Sequence, residues 1–262
     1  MGADTSGRHS DGGALPRDCR VVDVRHYGSF VAVELAAPDI AGRAQPGQFV
    51  MVAVPAPGFH LRRPLSLFRA GGDRLALLIE VRGKGTAALA AVAVGDTVSV
   101  SGPLGSGFPL DGVTEALLVG GGIGAAPLQL LAERLTGGGA TVSAAFGFRD
   151  ARQARLVSAF DIERLWVSTE DGSMGSRGTV VDLLDGVPRG PLTTLYACGP
   201  LPMLAALQRW AAAHGIGGFA SLEAHMACGS GSCHGCVLPT ARGYARVCAE
   251  GPVLPLAELV FP

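Results

Sequence analysis

The stretch Met226–Cys236, MACGSGSCHGC, carries three cysteines, and Cys248 follows twelve positions after the last of them. Cys228, Cys233, Cys236 and Cys248 are therefore spaced C-x4-C-x2-C-x11-C. Thiolates bind metal, and the first three match the C-x4-C-x2-C run that ligates plant-type [2Fe-2S] clusters. Such a cluster needs four sulfurs close enough to hold two irons bridged by sulfide. Gly229, Gly231 and Gly235 let the backbone wrap tightly and aim N–H groups at the sulfurs, which tunes the potential. A zinc knuckle is the competing reading, but it is usually built from two C-x2-C pairs. Only one such pair stands here, Cys233 and Cys236. His234 reads as a solvent-facing loop residue, because four thiols already satisfy the metal.

A second set of residues could hold a nucleotide. In LLVGGGIGAAPL, Gly120, Gly122 and Gly124 end an apolar run and open a helix. Glycine there removes the Cβ that would block a diphosphate, and a helix start offers free N–H groups. A standard dinucleotide site would also carry an acidic residue about twenty positions on. Asp150 lies farther away and follows Arg149. GKGT, Gly83–Thr86, is another glycine turn before a helix. In RRPLS, Arg62–Ser66, an arginine could pair with a diphosphate and a serine could hydrogen-bond a heterocycle. YACGP, Tyr196–Pro200, ends a strand in small residues that leave room for a ligand, although Cys198 could equally be an inert buried thiol. STEDGS, Ser168–Ser173, could meet a ribose or form a solvated turn. Cys19 has no role from sequence.

The elements that must position these residues divide the chain. Over residues 17–110 six short β-branched or alternating runs, from CRVVDVRHYG to TVSVSGPLG, predict an antiparallel six-stranded barrel with one helix, Thr86–Val92. Over residues 111–218 apolar strands alternate with helical patterns such as APLQLLAERL and LPMLAALQRW, which predicts a parallel α/β sheet. Residues 219–262 hold the cysteines and too few apolar groups for a core of their own, so something besides burial must organise them. Residues 1–16 read as a disordered tail without the apolar centre of a signal peptide. The fold class is thus α+β multidomain. With 48% hydrophobic residues the 262-residue chain can bury a real core. A net charge of -1 gives no footprint for nucleic acid, and no long apolar run suggests a membrane span. A cytoplasmic setting is expected, where clustered cysteines are more often metal ligands than disulfides.

The order R-P-x-S, G-x-G-T, G-G-G-I-G-x-A-P, C-G-P resembles the ferredoxin–NADP reductase superfamily. With the C-terminal cysteines, and with PGQF, EDGSMGSRGTV and LEAHMACGSGSCHGC, the chain is similar to the electron transfer subunits of dihydroorotate dehydrogenase B. The resemblance implies an FAD-binding barrel, an NAD-binding α/β domain and a small [2Fe-2S] module. It puts Arg63, Pro64, Leu65 and Ser66 on FAD, with Ser66 near the flavin ring and Arg63 near the diphosphate. Leu78, Ile79 and Glu80 would line the flavin, and Gly85 and Thr86 would hold the diphosphate. An aromatic and then a basic residue are expected around 79 and 80, where this chain has Ile79 and Glu80. Gly120, Gly122, Gly124, Cys198, Gly199 and Pro200 would frame the nicotinamide, with Ser66 and Cys198 catalytic. Cys228, Cys233, Cys236 and Cys248 would ligate the cluster. No eightfold βα pattern is present, so dihydroorotate oxidation is expected on another chain. The resemblance implies that this partner is an FMN-containing catalytic subunit, in a heterotetramer of two of each chain. A flavin subunit of a sulfide dehydrogenase or soluble hydrogenase is the nearest alternative.

Overall fold

A computed structural model describes residues 15–261. The tail expected over 1–16 lies outside them except for Leu15 and Pro16, and Pro16 already begins a strand. Strands β1 (Pro16–Tyr27), β2 (Phe30–Ala36), β3 (Phe49–Val52), β4 (Arg63–Gly71), β5 (Arg74–Glu80) and β6 (Thr97–Leu104) close into an antiparallel barrel in the order β1-β2-β5-β4-β3-β6. Alternation explains the closure. On β5, Leu75, Leu77 and Ile79 turn into the barrel interior with Val31, Val33 and Leu35 of β2. Ala76 and Leu78 turn the other way, into the core shared with the α/β sheet. The one helix expected here runs Lys84–Ala90, two residues early, because Thr86 Oγ1 accepts the Arg82 and Gly83 N–H groups and fixes its start.

Strands β7 (Glu115–Gly121), β8 (Thr141–Phe148), β9 (Arg164–Thr169), β10 (Ser176–Arg177), β11 (Thr193–Cys198) and β12 (Gly218–Ser221) form the parallel part of a second sheet. Beyond them lie a hairpin, β13 (Val237–Thr240) and β14 (Gly243–Arg246), and then β15 (Val253–Pro255). The second sheet has the order β10-β9-β8-β7-β11-β12-β15. Helix Ala126–Gly137 covers one face with Leu128, Leu131 and Leu135. Helix Leu201–Ala213 covers the other with Leu204, Leu207 and Ala211. The strand order reverses between β7 and β11, and there Gly120 stands opposite Cys198. Open α/β sheets take their ligands at such a switch point.

Two features of the C-terminal segment differ from expectation. The chain past residue 218 lends β15 to the main sheet, antiparallel to β12, so only the β13–β14 hairpin stands apart. Nor is burial absent from the segment's organisation: Cys236, Val247 and Cys248 are buried in one cluster with Phe49, Met51, Leu207 and Leu256. The segment borrows apolar surface from both larger units. Among the described residues no helix is long and apolar enough to cross a membrane.

Candidate functional site

A cavity of about 210 Å³ opens where barrel, sheet and C-terminal segment meet. The barrel contributes Phe49, Pro64, Leu65, Ser66, Leu78, Glu80, Arg82 and Thr86. The turn after β7 contributes Ile123 and Ala126, and the segment after β12 contributes Ser221 to Ala224 and Met226. Most of the expected barrel residues therefore come together. Ile79 does not, because strand alternation sends its side chain into the barrel interior, where it is 2% exposed. Arg63 and Gly85 stand beside the wall: a Cβ on Gly85 would come within 3.0 Å of the Arg63 guanidinium. Arg62 is a staple, donating to the Met51 and Ser99 carbonyls and to Ser99 Oγ.

The three glycines of the β7 turn play different parts. A Cβ on Gly124 would lie 2.5 Å from the Cys198 carbonyl oxygen, and one on Gly120 would lie 2.9 Å from Ala125. Both let the turn pack against β11. Gly122 has φ +56 and faces open space, so it is the one that leaves room for a ligand. Gly199 packs on Met203, and Pro200 begins the next helix as its N-cap. Cys198 is 2% exposed and does not line the cavity. Burial pushes its pKa far up, the Glu223 charge adds to this, and a hydrogen bond with Ser221 opposes it. At neutral pH it is a neutral thiol that can shape the site but supplies neither base nor nucleophile. Ser221 and Glu223 reach the cavity instead. Partial loss of water around its carboxyl raises the Glu223 pKa, Arg82 lowers it, and Glu80 raises it again, while the residue as a whole stays exposed. Sequence reasoning assigned neither Glu223 nor Arg82 a role. A signal existed for Glu223, a lone carboxylate within the apolar run SLEAHM.

The stretch Ser168–Ser173, open between a ribose contact and a solvated turn, and the distant Asp150 both stand outside the cavity lining. Asp150 caps a short helix by accepting the Gln153 N–H. Ser168 and Thr169 are buried at the end of β9, and Asp171 closes an exposed turn on Ser173.

The four cysteines fall into two pairs. Cys236 and Cys248 have their sulfurs 3.3 Å apart, and the Cys233 N–H donates to Cys228 Sγ. Five backbone N–H groups point at the four sulfurs: Ser230 and Cys233 at Cys228, Gly235 at Cys233, Cys248 at Cys236, and Gly231 at Cys248. Of the three glycines expected to aim N–H groups, Gly231 and Gly235 do so. Gly229 has φ +69 and packs on Met51 of the barrel. Burial raises the Cys228 pKa, but the donors at Ser230 and Cys233 outweigh it and hold the thiol at about 6. Two thiol pairs ringed by N–H donors fit a two-iron cluster, whose sulfur charge such donors stabilise. His234 is exposed, with φ 55.

Comparison with known proteins places this architecture. A family model described as the iron-sulfur cluster binding domain of dihydroorotate dehydrogenase B matches residues 223–260. The dihydroorotate dehydrogenase B (NAD(+)) electron transfer subunit of Bacillus caldolyticus is 42% identical over 227 residues, 83% of this chain and 87% of that one. The same subunit of Geobacillus thermodenitrificans (strain NG80-2) is 40% identical over 252 residues, 92% of this chain and 95% of that one. The chain belongs to this family. Among solved structures, the NADH-dependent reduced ferredoxin-NADP oxidoreductase superposes with a TM-score of 0.84 at 27% identity, over 92% of this chain and 89% of that one. A ferredoxin NADP+ reductase from Neisseria gonorrhoeae with bound FAD and NADP shares the fold, with a TM-score of 0.63 at 17% identity over 76% of this chain and 92% of that one. As a member of the family, the chain has its matched cluster-binding segment beside the cavity rather than at a remote end. Met226 lines the cavity and Cys228 follows two residues on.

Proposed function

We propose that this chain carries electrons between NAD(H) and a dihydroorotate-oxidising partner, through FAD and a [2Fe-2S] cluster, in the step of pyrimidine biosynthesis that forms orotate. The observation that carries the reading is one cavity walled by all three parts of the chain. A nicotinamide exchanges electrons in pairs as hydride, an iron–sulfur cluster takes them singly, and a flavin can do both, so the flavin belongs between the other two. The chain's own residues then divide the work.

Ser66, Leu65 and Pro64 present the β4 wall to the flavin ring, with Ser66 its hydrogen-bond partner. Leu78 packs against that ring, and Thr86, Gly85 and Arg63 address its phosphate arm. Gly122 opens the turn for the nicotinamide cofactor, while Gly120 and Gly124 close that turn on Cys198, Gly199 and Pro200. Cys228, Cys233, Cys236 and Cys248 hold the cluster. Residues 17–110 thereby carry most of the FAD contacts, 111–218 those to the nicotinamide and 219–262 the cluster ligands, while all three wall the flavin cavity.

The family's name implies a catalytic partner. The partner is an FMN-containing subunit, two of each chain assemble, and docking uses the cysteine end. A cytoplasmic setting, in which thiols stay reduced, suits a chain whose clustered cysteines serve as metal ligands. The test is anaerobic purification followed by metal, sulfide and flavin analysis and reconstitution with a dihydroorotate-oxidising chain. The expected result is FAD, two irons and two acid-labile sulfides per chain, with orotate-dependent NADH oxidation only in the mixture. Zinc in place of iron, or NADH oxidation indifferent to orotate, defeats the reading.

A further inference from the structure

We propose that Arg82, braced by Glu80, supplies the cation that meets the anionic arm of the flavin dinucleotide. The inference rests on the cavity being the flavin site. Glu80 poses the problem. It sits on the cavity wall at the end of β5 with its side chain 14% exposed, and a carboxylate there repels a phosphate. A carboxylate so shielded needs a partner. Arg82 is that partner: its Nε lies 2.5 Å from Glu80 Oε2, and it lines the same cavity. Residues two apart on an extended chain share a side, which is why position 82 can answer position 80.

The pair leaves Arg82 half used. A guanidinium is a planar fork with donors on two edges. Nε is engaged by Glu80, and among the described residues no hydrogen bond engages Nη1 or Nη2. The side chain is 65% exposed, so its free edge can reach a ligand. Its backbone is pinned, because the Arg82 and Gly83 N–H groups both donate to Thr86 Oγ1 at 3.0 and 3.1 Å. Arg63 flanks the other side of this turn but already donates to the Leu61 carbonyl. The charged groups on the wall are Glu80, Arg82 and Glu223. Without Arg82, the lining would set two carboxylates against an anionic ligand and leave Arg63, which stands beside the wall, to oppose them.

The test titrates full-length apoprotein with FAD and with riboflavin, which has the ring but no phosphate, following flavin fluorescence. Arg82→Ala is expected to weaken FAD about ten- to a hundredfold and to leave riboflavin unchanged. Arg82→Lys, which keeps the charge, is expected to fall between the two. FAD affinity should also lose part of its salt dependence in Arg82→Ala. Unaltered FAD affinity in Arg82→Ala, or equal losses for FAD and riboflavin, overturns the proposal while the flavin site stands. A wild-type chain that takes up neither flavin overturns the flavin site and the proposal with it.

Discussion

The barrel-and-sheet body and the cysteine segment are held by different physics within one chain. In the body, order comes from burial. Leu118 of β7 is fully buried, and helices Ala126–Gly137 and Leu201–Ala213 cover the two faces of its sheet. In the segment from Met226 to Gly251, order comes from polar groups converging on sulfur. Gly229, Gly231 and His234 adopt positive φ there, and five N–H groups turn inward. Arg246 acts as a staple, donating to the Gly231 carbonyl at 2.9 Å while it pairs with Glu250. The two regimes meet at Cys236 and Cys248, each 3% exposed inside the shared apolar cluster. A surface loop can thus be built without a core of its own, provided that its ligands are anchored in someone else's.

The largest effect expected from this contrast follows Cys236→Ser. Removing one buried ligand should abolish iron and sulfide retention, because metal affinity in such segments is folding free energy. Amide exchange should accelerate across residues 226–251 and stay slow in β7, β8 and β11. Hydrogen-exchange mass spectrometry of the two proteins checks this. Equal acceleration in the sheet strands would mean that the body leans on the cluster, and the contrast would fail.

A smaller effect of opposite distribution is expected from Leu118→Ala. The residue is 0% exposed in the sheet core, and truncation of such a leucine costs about 2–5 kcal/mol. Urea unfolding should show the loss, while iron per folded chain stays at the wild-type level. A fall in iron per folded chain would join the two regions energetically.

How much of this was legible from residues depends on how local each signal is. The barrel was, because period-two alternation survives in runs such as FVAVELA. The four thiols were, because three sit within nine residues. The contiguous reading of 78–80 as a lining erred at Ile79, where alternation turns the side chain away. Cys198 stands outside the cavity lining, because a strand end says where the backbone stops and not which neighbour reaches the cavity. Ser221 and Glu223 arrive at the cavity only through the pairing of β12 with β11, Ser221 standing opposite Cys198. β15 was invisible because three residues are too short for any period. The answer of Arg82 to Glu80 is a matter of side-chain position, which an unusual residue at 80 could flag but not locate.

The smallest expected effect lies wholly within the body and separates a hydrogen bond from a titration. Tyr196 is fully buried on β11, and its hydroxyl donates to the Pro109 carbonyl at 2.6 Å, tying the sheet to the loop that leaves the barrel. Burial pushes its pKa up to about 12, against 10.0 for the free phenol. The folded protein therefore holds this proton more tightly than the unfolded chain does. The stability so contributed is complete below pH 10 and is lost as the pH rises through 12. Tyr196→Phe should begin about 1 kcal/mol less stable at neutral pH, for the missing hydrogen bond, and should decline less steeply above pH 10. The Cys19 and Cys198 thiols, also raised by burial, remain in both proteins, so the difference between the two curves isolates the phenol. Urea midpoints measured across that range decide it: parallel declines would show that the alkaline limb belongs to the thiols, and that this ring holds the body together by packing and its one hydrogen bond alone.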